Sequence, residues 1–205
     1  MKLSSVAAIA LLSATPVFAA APAFLVDFEK NWDYANGAVD GYYSGGTAAD
    51  GSSGSNLGVA FVGVSGLSND IAFTYYSHAP TPLGVAYVFD SAAFINVAAG
   101  VANTLYFSYA SPTAVSGAIR AYAGTNGTGA LLGSLDLAAN SGTGYDAWTA
   151  KAFSFSGTAL SFVVGAGANA VALDNVSSVP EASSLLMMLL GSAAVLRLGS
   201  RRRSA

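Results

Sequence analysis

Hydrophobic and polar positions alternate along much of this chain in short runs, set between clusters of Gly, Asn, Asp, Ser and Pro. Leu105, Phe107 and Tyr109 share one face at a period of two, as do Phe153 and Phe155, and Leu160, Phe162 and Val164. Runs rich in Val, Ile, Phe and Tyr predict strands over 24–28, 57–64, 71–76, 84–89, 104–109, 118–123, 131–137, 152–155, 160–164 and 171–176. Asn126-Gly127 marks a tight turn between two of them. The Ala-rich stretch 92–102 is tempting as a helix, but Gly100, Pro112 and the β-branched residues nearby argue against one of any length. Residues 37–58 are rich in Gly, Ser and Asp with few apolar anchors, and are expected to be the most mobile loop. So many short strands in one domain's length predict an all-β fold, an antiparallel two-sheet β-sandwich of jelly-roll-like form.

The two ends break this pattern. Lys2, an apolar run over 6–12 and small residues up to Ala19 form a secretory signal helix, residues 1–19, with cleavage by signal peptidase expected after Ala19. At the other end, residues 179–205 begin with Val179-Pro180-Glu181, continue through an apolar run and close on Arg201, Arg202 and Arg203. The uninterrupted apolar run 185–196 makes roughly 18 Å of helix at about 1.5 Å per residue. Extended to 182–198 it reaches the lower edge of what spans a bilayer core of about 30 Å. Arg197, near the helix end, can lay its stem along lipid and reach the interface. A core helix has no use for the three arginines behind it, whereas a stop-transfer segment keeps them on the cytoplasmic side.

That order of motif, apolar helix and arginine cluster resembles the PEP-CTERM sorting signal of Gram-negative bacteria. Ala182 stands where the family motif usually carries Pro. The resemblance implies a transient anchor in the inner membrane, an exosortase-type protease that reads and removes the tail, and residence at the cell surface, in the outer envelope or outside the cell.

Between the ends lie residues 20–178, a single domain. Ten acidic residues there (Asp27, Glu29, Asp33, Asp40, Asp50, Asp70, Asp90, Asp136, Asp146, Asp174) face only Lys30, Arg120 and Lys151, a net charge of −7. Such a surface repels nucleic acid, whose binding needs clustered Lys and Arg. The chain has no cysteine, so stability has to come from packing and sheet hydrogen bonds without disulfides.

Catalytic constellations are sparse. His78 is the sole histidine, which excludes multi-histidine zinc sites. No G-x-S-x-G elbow occurs, and 142–147 matches G-x-G-x-x-A by letter without a helix to follow. Glycosidase chemistry needs two carboxyls in a cleft, and no pair stands out. The domain is therefore expected to be non-enzymatic, with a secreted hydrolase as the reading that paired carboxylates would revive.

A second resemblance covers roughly 104–179, where IRAYAGTNGTGALLGSLDL and ALDNVSSVPE look like the closing half of β-sandwich ectodomains in PEP-CTERM proteins and of jelly-roll carbohydrate-binding modules. It implies a structural Ca²⁺ between the first and last strands, held by Asp174 with Asp27 or Glu29; the alternative is that these residues make ordinary edge hydrogen bonds. Trp32, Tyr34, Tyr42, Tyr43 and Trp148 lie in loop-like sequence. Of these, Trp32, Tyr42, Tyr43 and Trp148 are the candidate glycan-binding rings, the alternative being that each packs over a sheet edge. Two functions follow as expectations: a structural or adhesive component of the surface or biofilm matrix, and a carbohydrate-binding module for exopolysaccharide.

Overall fold

The computed structural model describes residues 23–179. Residues 1–19, expected as the signal helix, and the tail residues Pro180, Glu181, Arg197, Arg201, Arg202 and Arg203 lie outside the described residues. Among the described residues, no helix is long and apolar enough to cross a membrane.

The domain is all-β and antiparallel. In chain order its strands are β1 (Leu25–Val26), β2 (Val59–Val62), β3 (Val64–Leu67), β4 (Val85–Val88), β5 (Phe94–Ala110), β6 (Val115–Tyr122), β7 (Leu131–Leu137), β8 (Thr149–Val163) and β9 (Ala172–Ser177). Hydrogen bonding links them into one sheet in the order β3-β4-β9-β5-β8-β6-β7, with β1 paired to β9 and β2 paired to β5. The hydrogen bonds thus draw one continuous sheet where the sequence pattern predicts two.

The long strands β5 and β8 make that continuity. β8 follows one edge of β5 from Phe94↔Val163 to Tyr109↔Thr149. The opposite edge of β5 is shared: β2 takes Phe94 to Val97, and β9 takes Tyr106 to Ala110. Register breaks at Asn96/Val101 and Ala102/Thr104 separate the two halves. Gly100 (φ 74°) and Asn103 (φ 64°) supply the left-handed backbone there, and such bulges bend a strand and raise its twist. Through the bend Ile95, Val97, Val101, Leu105, Phe107 and Tyr109 all stay buried, in one contiguous core with Phe153, Phe155 and Phe162 of β8. The alternation that predicts 104–109, 152–155 and 160–164 is therefore real. Its bounds are too short, because the Ala-rich stretch before Thr104 is strand as well.

Three other expectations change. The run 57–64 is two strands, since at Gly63 (φ 67°) the chain leaves β5 as partner and joins β4. The Gly63 carbonyl accepts from the N–H groups of both Phe89 and Asp90 (3.0 Å each), which locks the corner. The segment 71–76 is not a strand. The Asp70 carboxylate accepts from the N–H groups of Ala72 and Phe73 (2.7 Å each), and the Asn69 amide oxygen accepts from those of Tyr75 (2.7 Å) and Tyr76 (3.2 Å). Asn69 and Asp70 thus take the backbone donors that a ladder would use. Finally, 37–58 is anchored along β3: Val39 donates to the Val64 carbonyl (3.0 Å), Gly66 donates to that of Gly37 (2.7 Å), and Val39, Tyr43 and Ala48 are buried. The Asn126-Gly127 turn forms as expected, with both residues at positive φ and Thr128 donating to the Thr125 carbonyl at 3.0 Å.

A side chain at Gly63 would meet Cβ of Asp90 at 2.8 Å and that of Ala93 at 3.0 Å, on a backbone that L-residues avoid. Gly63→Ala should lower unfolding free energy by about 1–3 kcal/mol, read from the urea midpoint.

Candidate functional site

Of the four rings singled out from sequence, Trp32 and Tyr43 are buried in the core and Tyr42 and Trp148 are partly buried. Trp32 is 4% exposed; its Nε1 donates to the Phe28 carbonyl at 2.9 Å, and its indole lies directly against Gly66. Tyr42 stands edge-on to it with centroids 5.3 Å apart, and the Lys30 ammonium, ion-paired with Asp50, caps the Trp32 ring at 4.3 Å. Tyr43 is buried against Phe28 (5.9 Å) and Phe61 (6.2 Å), and burial raises the pKa of its hydroxyl. Trp148 is half-buried edge-on to Tyr76, with Nε1 donating to the Ser77 carbonyl at 3.0 Å. Trp32 and Tyr43 are thus committed to the core, while Tyr42 and Trp148 pack against their neighbours and stay partly exposed.

Other rings do. β3 and β4 turn Ser65 and Leu67, and Tyr87 with the following Phe89, away from the core onto their outer face, and this face floors a groove of about 830 Å³. One wall is a short 3₁₀ turn, Tyr34–Asn36, capped by Asp33, whose carboxylate accepts from the Ala35 N–H and the Asn36 amide (3.1 Å each). That cap leaves Tyr34 71% exposed. Beside it stand Thr74 and Tyr75, on the loop pinned by Asn69 and Asp70. Tyr34 and Tyr75 stack with centroids 5.5 Å apart and planes 4° from parallel. Thr143, Tyr145 and Asn169 close the remaining side, and Tyr145 stands edge-on to Tyr87 at 6.0 Å. Burial and the Tyr87 hydroxyl raise the pKa of Tyr145. Among the described residues, no Asp, Glu, Lys, Arg or His lines the groove.

The first and last strands are neighbours, as the calcium reading requires, with Leu25↔Ser177 and Val26↔Val176 in register. The carboxylates are nevertheless taken up by the protein itself. Asp174 is fully buried and accepts from the N–H groups of Thr81 (3.0 Å) and Asn175 (2.7 Å). Glu29 accepts from the Leu83 N–H (2.8 Å), and Asp27 accepts from that of Glu29 (3.2 Å). Thr81 Oγ1 sits 2.9 Å from the Asp27 carbonyl and 2.9 Å from both Asp174 oxygens, bridging the two segments where the cation was expected. Among the described residues no three carboxylate or histidine side chains gather as a metal site.

Ser141, His78 and Asp146 lie near one another but do not form a nucleophile relay. Ser141 Oγ donates to the Asp146 carboxylate (3.0 Å), whereas the His78 ring meets the Asp146 backbone carbonyl (3.1 Å) and makes no hydrogen bond to Ser141. The Gly142 N–H and the Ser141 hydroxyl hold Asp146 below the usual carboxylate range, and this network shapes the loop that carries Tyr145.

Burial pushes the Asp174 pKa up to about 7, against the hydrogen bonds that favour its ionised form. The hydroxyl of Thr81 has one proton for two neighbours; a proton on Asp174 lets the carboxyl donate to Thr81 while Thr81 donates to Asp27. The folded state therefore binds this proton more tightly than the unfolded chain. Its contribution is fully present below about pH 4 and is lost as pH rises through about 7, on the order of a few kcal/mol in total. Thermal melting between pH 5 and 8 should show the decline, and Asp174→Asn, a mimic of the protonated acid, should flatten it. No family model, curated protein or solved structure matches this chain.

Proposed function

We propose that the chain is an exported, non-catalytic protein of the cell surface or extracellular matrix whose β-domain binds glycan through the tyrosine groove. The observation that carries this reading is the groove itself: aromatic rings on its walls and floor, hydroxyl and amide groups from Ser65, Thr74, Asn36 and Asn169 among them, and, among the described residues, no carboxylate, amine, guanidinium or imidazole. Flat rings cover the apolar faces of sugars while a few polar groups fix orientation. Hydrolysis of a glycosidic bond needs two carboxyls about the scissile bond, and among the described residues the lining supplies none.

In this reading the bent sheet works as a jelly-roll-like scaffold, and the terminal signals deliver it. Signal peptidase acts after Ala19, the tail anchors transiently in the inner membrane, and an exosortase-type protease cuts near Val179-Pro180-Glu181. The purely structural or adhesive reading shares this route and differs in having no ligand.

Pull-down on exopolysaccharide from the producing cell separates the two. Tyr34→Ala should weaken binding at least about tenfold, or about 1.4 kcal/mol, while leaving the melting temperature unchanged. Retention of full binding by that variant would return the domain to the structural reading. Intact-mass analysis of the exported form, in hosts with and without the protease, should show a C-terminus near Val179 only in the first.

A further inference from the structure

The rings of the groove continue beyond it. Tyr75 lies 5.8 Å from Phe73, tilted by 35°. Tyr34, Tyr75 and Phe73 therefore form a row, from the groove wall to an exposed loop whose Ile71 is fully open to solvent. Phe73 is 61% exposed and is not part of the groove lining. The row is pre-formed: Asn69 and Asp70 hold the backbone N–H groups of Ala72, Phe73, Tyr75 and Tyr76, so the rings need not be ordered when a ligand arrives. Charge narrows the ligand further. Among the described residues the lining carries no cation, and the domain around it has ten acidic residues against three basic ones, a field that repels a polyanion.

We propose that the groove binds an internal stretch of an uncharged polysaccharide, with Phe73 as an outer platform for sugar units that extend past Tyr34 and Tyr75. This rests on the glycan reading of the groove and adds to it the chain length and charge of the ligand. A site built for one terminal sugar would have no use for a ring outside its walls, and a site for an acidic polymer would carry Lys or Arg among its polar groups.

The test is calorimetric titration of the full chain, held in a detergent without a sugar headgroup. The probes are cellobiose, cellohexaose, maltose, maltohexaose, mannobiose, mannohexaose and hexagalacturonate. At least one neutral hexasaccharide should bind about tenfold or more tightly than its disaccharide, and hexagalacturonate should not bind measurably. Phe73→Ala should bring that hexasaccharide to within about twofold of the disaccharide while leaving the disaccharide's affinity unchanged. Tyr34→Ala should weaken both. Equal affinity for short and long neutral sugars, or a Phe73→Ala variant that binds like the parent, would overturn the extended site and leave the glycan reading standing. Tight binding of hexagalacturonate would overturn the uncharged ligand alone. Silence from every sugar would remove the glycan reading and this inference with it. Self-association by sedimentation that Phe73→Ala abolishes would instead assign the row to contact between copies of the chain.

Discussion

β5 has to satisfy two sets of neighbours with one backbone, and the shape of the domain follows from how it does so. A straight strand of its length would keep β2 and β9 on a single flat sheet, with the apolar face open to water. The left-handed residues Gly100 and Asn103 let the strand change direction while Ile95 and Leu105 stay on the same buried face. With no cysteine to staple the layers, burial of that continuous face is what opposes the entropy of the chain. β8 completes the arrangement, because it follows β5 through the bend and still offers its other edge to β6 at Val163.

Much of this was legible in the residues, for a simple reason. Where one face of a strand is buried and the other is wet, the period of two is written into the side chains, and 152–155 and 104–109 show it. What could not be read was where partners change. Nothing in the local pattern of Val59 to Leu67 says that the chain abandons β5 for β4 at Gly63, since that depends on residues far away in sequence. Ile71 and Phe73 misled for the opposite reason. Their composition favours a strand, but two polar side chains just before them compete locally for the backbone and win. The loop over 37–58 was misjudged because three buried anchors, Val39, Tyr43 and Ala48, suffice to hold a long glycine-rich segment.

The aromatic residues make the same point at the candidate site. Trp32 and Tyr43 sit in loop-like sequence, yet they are core; Tyr34, between them in the chain, is open to solvent. The difference lies in the capped turn at Asp33, which presents one ring outward while Trp32 passes beneath the sheet margin. Asp33 and Asn36 around Tyr34 were a readable sign of such a turn. The meeting of Tyr34 with Tyr75 was not, because it unites segments that no periodicity relates. Asp174 is intermediate: its place beside the first strand followed from the strand order, whereas the intrusion of Thr81 between them did not.

The pairing of the first strand with the last has a geometric consequence of its own. The Phe24 carbonyl accepts from the Ser178 N–H (3.2 Å) and from the Ser177 hydroxyl (2.9 Å), so the described chain begins and finishes at the same pole of the domain. Its path is nearly a closed circuit. A short linker could join the two ends and new ends could be opened in an outer turn such as that at Asn126-Gly127, giving a circular permutant with every strand pairing retained.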